Sequence, residues 1–191
     1  GSVSFTCPDM TVTLKYGVCD TLVELNRTLV NNMSGTTVVL DSAGIPYGHR
    51  YSADLSPYTI TWTVTDECGD YVEFTQTVTV NYPPCGGTIK TNADGDGIEY
   101  ATIQVGCNCW MAENSRTTKY ADGTDVTPAP MTYGTPVTTY GYLYNWVAVM
   151  NGASSSDANP SGVQGICPTG WHVPSDAEWT QLTNYVGSVP E

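Results

Sequence analysis

The stretch that decides the fold of the C-terminal half reads YGYLYNWVAVMNG at 140–152 and QGICPTGWHVPSDAEWTQLTNYV at 164–186. Ser175 is followed three residues later by Glu178, the capping-box spacing in which each side chain bonds the other residue's backbone amide. Pro174 disfavours helical backbone in the residue before it. The pattern therefore predicts a helix that begins at Ser175.

Apolar residues at helical spacing predict which faces of this stretch are buried. Asn151-Gly152 is expected to end the first helix, and Gly187 stands where a left-handed C-terminal cap is expected for the second. The predicted buried residues are Leu143, Trp146, Val147 and Met150 in the first helix, and Trp179, Leu182, Tyr185 and Val186 in the second. We expect the chain downstream of about Pro84 to cover these two stripes.

Charge and cysteine content restrict the function. The 191-residue chain has a formal net charge of −13 and only 6 lysines and arginines, which argues against binding to nucleic acid or to an anionic membrane surface. No run approaches the roughly 18 apolar residues of a membrane span, so no membrane insertion is expected. Seven cysteines without a C-x-x-C pair fit disulfides in an oxidising compartment better than a zinc site.

Residues 1–85 are predicted to form an all-β module. Apolar and polar residues alternate over 10–16, 58–65 and 72–80, the period of a half-buried strand. One face is expected to contain Tyr58, Ile60, Trp62 and Val64 on one strand and Val72, Phe74, Val78 and Val80 on the next, with shorter strands near 22–25 and 36–40. Short alternating strands between turn signals predict an immunoglobulin-like sandwich. The Pro-Pro and Gly-Gly pairs around Cys85 mark the boundary to a second module, residues 86–191.

Three segments of the second module resemble one known family. IQVGCNCWMAEN (103–114), YGYLYNW (140–146) and GICPTGWHVPSDAEW (165–179) resemble, in this order, the Fibrobacter succinogenes major paralogous domain. The element HVPSDAEW (172–179) is also similar to the helix start of formylglycine-generating-enzyme-like domains, which share the C-type-lectin-like fold. The resemblance implies an α+β C-type-lectin-like module over residues 86–191. Family members usually continue further, so a partial domain is expected here.

The first module resembles a second family. CPDMTVTL (7–14) and YTITWTVTDECGDYVEFTQTVTV (58–80) resemble immunoglobulin-like modules of the hyalin-repeat (HYR) type, which recur as tandem spacers in exported adhesive proteins. Their sandwich topology implies two disulfides in this module, although the sequence alone allows other connectivities. In the second module, one of the two cysteines in Cys-Asn-Cys is expected to pair with the later one. The expected pairs are Cys7–Cys68, Cys19–Cys85 and Cys109–Cys167.

The strongest metal-binding candidate is the hairpin turn of the second module. Asn92, Asp94 and Asp96, followed by Gly97, resemble the opening of a calcium loop. The twelfth position is Ile103 rather than a bidentate carboxylate, so an ordinary turn is preferred to a calcium site. No other cofactor is indicated.

Catalytic candidates are absent from the sequence patterns. His172 lies in an apolar run and is read as a structural histidine rather than a general base. No nucleophile elbow, phosphate loop or His-rich metal motif occurs, so no catalytic residue is assigned. The aromatic residues Trp110, Trp146, Trp171 and Trp179 are read as core rather than as a sugar-stacking surface.

Together these patterns predict an exported bacterial cell-surface protein without enzymatic activity. The sandwich is expected to act as a spacer and the second module as a display scaffold that binds a surface glycan or protein. The loops 115–139 and 153–162 are polar and are expected to be exposed, so they are the predicted binding surface. The alternatives are a purely structural stalk and an accessory part of a glycan-acting enzyme.

Overall fold

The computed structural model describes residues 4–25, 28–30, 37–41, 48–65, 68–91 and 96–188. It divides into two compact units, Gly1–Pro83 and Pro84–Glu191. Short strands in several small sheets make up most of the regular structure, with few helices. The chain is therefore β-rich, as the alternating patterns predict.

The first unit contains a four-stranded sheet and two strand pairs. Its strands are β1 (Ser4–Thr6), β2 (Met10–Thr13), β3 (Asp20–Leu22), β4 (Thr28–Val30), β5 (Thr37–Asp41), β6 (Arg50–Ser52), β7 (Tyr58–Thr65) and β8 (Tyr71–Asn81). The larger sheet has the order β2–β8–β7–β5, in which β2 runs parallel to β8 and the other pairs are antiparallel. β1 pairs with β4, and β3 pairs with β6.

The core of this unit follows the predicted alternation on β7. Its buried residues are Leu14, Tyr51, Tyr58, Ile60, Trp62, Val64, Val78 and Val80. On β8 the pattern holds only towards the C-terminal end, because Val72 is 56% exposed. The strand predicted over 10–16 ends earlier, at Thr13. Leu14 N still donates to the Asn81 carbonyl at 2.8 Å, but Tyr16 lies in an exposed turn.

A fully buried polar side chain, Gln76, interrupts the apolar face of β8. The indole Nε1 of Trp62 donates to Gln76 Oε1 at 3.1 Å, and Gln76 Nε2 donates to the Pro8 carbonyl at 2.7 Å. A buried indole N–H needs an acceptor, and a buried side-chain amide needs partners of its own. The Gln76 amide accepts from Trp62 and donates to Pro8, so it ties the segment before β2 to the sheet.

The second unit combines a three-stranded antiparallel sheet with short helices. Its elements are β9 (Thr88–Lys90), β10 (Glu99–Val105), β11 (Asn108–Met111), β12 (Met131–Thr132), α1 (Val137–Tyr140), β13 (Tyr142–Leu143), α2 (Trp146–Met150) and α3 (Asp176–Ser188). The sheet order is β11–β10–β9, which contains the predicted hairpin, and β12 pairs with β13. Among the described residues, no helix combines the length and apolarity that a membrane crossing requires.

The start of α3 is as predicted, but its buried stripe is not. Ser175 N donates to Glu178 Oε2 at 3.0 Å, and Glu178 N donates to Ser175 Oγ at 3.3 Å, which completes the capping box. Trp179 is 50% exposed, and Tyr185 and Val186 are also exposed. Gly187 lies within the helix rather than at its cap.

The first predicted helix is shorter than expected and buries different residues. The Asn145 side chain caps α2 by accepting from Ala148 N at 2.9 Å, and Asn151 ends it in the left-handed conformation, as predicted. Ala148 and Met150 are buried, whereas the predicted core residues Leu143, Trp146 and Val147 are exposed. The reason is that residues 142–143 form a strand, so only five residues remain helical.

The three predicted disulfides are wrong. Cys7 carries a free thiol that lies 3.6 Å from the Thr75 carbonyl oxygen, because β2 pairs with the end of β8, starting at Met10↔Val78. Cys7 lies beside Thr75, whereas Cys68 comes before Tyr71 at the other end of this part of the strand. A strand rises about 3.3 Å per residue, so the residues from Tyr71 to Thr75 span more than the distance that a disulfide bridges. The pairing Cys7–Cys68 is therefore excluded.

Cys85 bonds Cys109 instead of Cys19, with 5.8 Å between the Cα atoms. The physical reason is the docking of residues 86–87 beside β10: Gly86 N donates to Thr102 Oγ1 at 3.1 Å, and Thr102 N donates to Gly87 O at 2.8 Å. β10 pairs with the strand that carries Cys109. Cys109 is thus unavailable to Cys167, which is a free thiol. Burial raises the pKa of the Cys167 thiol to about 12, so it stays protonated and unreactive at neutral pH.

Replacing Gln76 tests whether the buried amide holds the first unit together. Gln76→Met keeps the side-chain size but removes the bonds to Trp62 and Pro8, so we expect a loss of about 2 kcal/mol in unfolding free energy. Urea denaturation followed by tryptophan fluorescence measures this. The exposed control Glu73→Gln on the same strand should change stability by less than about 0.5 kcal/mol. Equal stability of Gln76→Met and the wild type would refute the role of the amide.

Candidate functional site

Asp96 joins three segments of the second unit through its carboxylate. Oδ1 accepts from Thr91 Oγ1 at 2.7 Å and from Ile98 N at 3.4 Å. Oδ2 accepts from Thr117 Oγ1 at 2.7 Å and from Thr118 N at 2.8 Å. Burial raises the pKa of Asp96, but these hydrogen bonds outweigh burial and hold the pKa below its ordinary value. The charged carboxylate therefore fastens the β9–β10 hairpin to the chain at 117–118.

This use of Asp96 bears on the calcium candidate. Asn92 and Asp94 lie outside the described residues. A carboxylate has about four lone-pair sites, and the four donors around Asp96 point at them. A calcium ion at Asp96 would have to displace these donors. No cluster of three or more His, Cys, Asp or Glu suited to a metal occurs in the part of the chain that the structure describes.

Glu178 is the second organising carboxylate, and it is only 2% exposed. Besides the Ser175 amide, Oε2 accepts from Ser161 N at 3.1 Å, and Oε1 lies 2.6 Å from His172 Nε2. Burial raises the pKa of Glu178, while the bonds from Ser175, His172 and Ser161 lower it, and the net result lies below the ordinary value. His172 thus has a hydrogen-bond partner, as a structural histidine requires.

The loop predicted to be exposed over 115–139 is partly core. Thr117, Tyr120 and Val126 are buried. Tyr120 donates its hydroxyl hydrogen to the Ala148 carbonyl at 3.0 Å, and Tyr120, Val126 and Ala148 form a small apolar cluster. The prediction of a surface excursion is therefore wrong for the first part of this loop. Loop 153–162 is exposed as predicted, except for the half-buried Ser156 and the buried Ser161.

A group of large exposed side chains lies on the β12–β13 hairpin and on the first turn of α2. We call this group the aromatic surface; its members are Met131, Tyr133, Tyr140, Leu143, Trp146 and Val147, which are between 48% and 69% exposed. Met131 is paired directly with Leu143 across the hairpin. The ring of Tyr140 lies beside Gly134, 3.4 Å from where a Cβ would be. Contiguous exposed apolar patches mark interaction sites in soluble proteins, and the pairing of Met131 with Leu143 makes two members of this group neighbours.

The hairpin that carries the aromatic surface is anchored to the interior. Tyr142 N donates to Ser115 O at 2.8 Å, and Tyr144 donates its hydroxyl hydrogen to Thr117 O at 2.9 Å. Gly141 has φ +66°, and a Cβ there would lie 2.5 Å from Ser115 O, so only glycine allows this approach. The sequence patterns predicted that part of this surface is core. The lack of charged residues in the surrounding sequence was the signal that could have indicated an unusual surface.

Replacing Asp96 tests its structural role. In Asp96→Asn, one donor pair must face an amide NH₂ instead of an oxygen, so we expect a loss of about 2 kcal/mol in unfolding free energy at pH 7. Because the folded-state pKa is lowered, the wild-type advantage should shrink as the pH falls through that pKa. Chemical denaturation at pH 7 and pH 3 measures both effects.

The control for this change is Asp125→Asn, which removes an exposed ion pair with Lys119 and should cost less than about 1 kcal/mol. Calcium should leave the thermal midpoint of the wild type unchanged. A calcium-dependent rise that Asp96→Asn abolishes would contradict our interpretation.

Glu178→Gln should destabilise the second unit by about 1–3 kcal/mol at pH 7, because a buried charged acceptor loses its bond to His172 and weakens its backbone bonds. The pKa of Glu178 is lowered on folding, so this difference should diminish on acidification below about pH 4. Thermal unfolding across that pH range measures it. The exposed first-turn variant Asp176→Asn is the control, and a difference that does not change with pH would oppose this assignment.

Comparison with known proteins finds one family that is similar to most of the second unit. The family model of the Fibrobacter succinogenes major domain matches residues 103–191, which include α2, α3, Glu178 and the aromatic surface. No curated protein matches the chain. The resemblance predicted from the motifs at 103–114, 140–146 and 165–179 is confirmed, whereas the hyalin-repeat resemblance of the first unit stays a prediction. Residues 103–191 of this chain are thus similar to the Fibrobacter succinogenes major domain.

Proposed function

We propose that this chain belongs to an exported bacterial cell-surface protein that binds a glycan or protein ligand without catalysing a reaction. The observation that carries this proposal is the aromatic surface. Burying a large apolar side chain stabilises a protein by about 1.5–3 kcal/mol, so exposing six of them on one hairpin and the adjacent helix forgoes considerable stability. Such exposure is compatible with a surface that a ligand covers.

The architecture supports a division of labour between the two units. In this proposal the first unit is an immunoglobulin-like sandwich of the hyalin-repeat type that acts as a spacer. The second unit is a C-type-lectin-like scaffold that displays the hairpin. The disulfide Cys85–Cys109 fits a protein that works in an oxidising, extracellular compartment.

The two organising carboxylates favour binding over catalysis. Asp96 and Glu178 each accept hydrogen bonds from several groups of their own unit. Their pKa values are lowered, whereas a carboxylic acid that donates a proton near neutral pH needs a raised one. These residues therefore suit a structural role in a binding scaffold.

A binding assay with matched variants tests the proposal. The fluorescently labelled, disulfide-intact chain is applied to an array of glycans and of extracellular proteins. We expect binding by the wild type and at least a tenfold loss for the triple variant Tyr133→Ser/Tyr140→Ser/Trp146→Ser. The control Tyr71→Ser/Val186→Ser removes equally exposed side chains elsewhere and should bind as the wild type does.

The outcome separates the proposal from its alternative. Absence of binding to every ligand class, or equal binding by the triple variant, would overturn it and favour a purely structural stalk. Near-ultraviolet circular dichroism of each variant confirms that the fold is retained.

A further inference from the structure

We infer that the aromatic surface binds an uncharged polysaccharide, an inference that rests on the proposed binding function. The first observation is the absence of charge around it. Residues 126–156 contain no Asp, Glu, Lys, Arg or His and are flanked by Asp125 and Asp157. At the chain's 13% charged content, a segment of 31 residues would carry about four charges. The whole aromatic surface lies inside this charge-free segment.

The charged residues next to the segment that anchors the hairpin are paired with each other. The hairpin rests on residues 114–115, and the charged neighbours in sequence are Glu113 and Arg116. These two form an ion pair with 2.8 Å between Glu113 Oε2 and Arg116 Nη1. Among the described contacts that anchor the hairpin, an anionic ligand would therefore meet no unpaired cation, and it would also be repelled by the net charge of −13. A cationic ligand would find no carboxylate in the segment.

The chemistry of the surface matches a neutral sugar. The exposed rings of Tyr133, Tyr140 and Trp146 offer flat apolar faces, which suit the C–H face of a pyranose ring. The same segment also offers hydroxyl groups: its exposed threonines are Thr127, Thr132, Thr135, Thr138 and Thr139. Hydroxyls both donate and accept hydrogen bonds, as sugar hydroxyls do. A neutral polysaccharide needs both kinds of contact and no ion pair.

The surface is held in place before any ligand arrives. Its hairpin bonds to the interior through Tyr142 N and Ser115 O, and Asn145 caps the helix that carries Trp146. Gly141 is packed against the backbone at 115. A backbone that is fixed in advance loses less conformational entropy on binding, which matters most for a weakly interacting neutral ligand.

A protein partner is the other class of macromolecule that such a surface could contact. Tyr, Trp and Gly are common in protein-binding loops. Protein interfaces, however, are enriched in Arg as well as in aromatic residues, and they have a polar, solvent-accessible rim. The segment 126–156 provides no Arg or other charged side chain, which favours the neutral sugar.

A comparison of binding to neutral and to acidic polysaccharides tests this inference. The wild-type chain is titrated by isothermal calorimetry and by affinity electrophoresis with three neutral polymers, namely galactan, mannan and mixed-linkage β-glucan. The acidic probes are polygalacturonate and dextran sulfate. We expect binding to at least one neutral polymer, none to the acidic ones, and a dissociation constant that changes less than twofold between 50 mM and 500 mM NaCl.

The variants separate ring stacking from loss of structure. Trp146→Ser and Tyr133→Ser should each weaken binding at least fivefold, while Tyr133→Phe, which keeps the ring, should bind within twofold of the wild type. Binding to the acidic polymers, strong salt dependence, or binding to none of the neutral polymers overturns the inference. If the array of extracellular proteins then shows binding to a protein that is lost when the aromatic rings are removed, the proposed function stands and only the sugar assignment fails.

Discussion

A buried carboxylate at the start of α3 imposes the main constraint on the second unit. Glu178 is 2% exposed, and an ionised side chain in that position is tolerated only if donors surround it. The chain supplies them from two directions: the Ser175 amide lies within the helix start, and the Ser161 amide comes from the loop before it. Meeting this requirement brings residues 161–163 across the N-terminus of α3, where Val173 N donates to Val163 O at 2.7 Å.

The same segment then determines which way α2 faces. Ile166 N donates to the Val149 carbonyl at 2.8 Å, and Gly165 approaches that carbonyl more closely than any side chain would permit. On its inner side α2 presents Ala148, whose carbonyl accepts from the Tyr120 hydroxyl. The inner side of this short helix is occupied by Ala148 and Met150, which are 0% and 4% exposed. Trp146 and Val147 therefore point outwards, and the exposure of the aromatic surface follows from the anchoring of the loop around Glu178.

Patterns between residues close in sequence correctly predicted the features that depend on short-range contacts. The capping box at Ser175 and the alternation on β7 are short-range patterns, and both are present. The disulfide partner of Cys85 depends on the docking of residues 86–87 against β10, a long-range contact that cysteine spacing does not encode. The buried Gln76 was likewise hidden, because a polar residue on a core face is recognisable only once its partners at Trp62 and Pro8 are known.

The wrong prediction of the buried residues of α2 has a different origin, and it bears on the proposed function. Helical spacing placed Trp146 and Val147 in the core, but a helix of five residues is too short for spacing alone to select its inner face, so the Asn145 cap and the Ala148 contact decide. Natural sequences tend to depart from locally consistent rules at functional sites. The departure here coincides with the longest charge-free segment around the hairpin, 126–156. The wrong core prediction concerns an exposed tryptophan within an uncharged and firmly anchored segment, and this supports the proposal of a surface that a ligand covers.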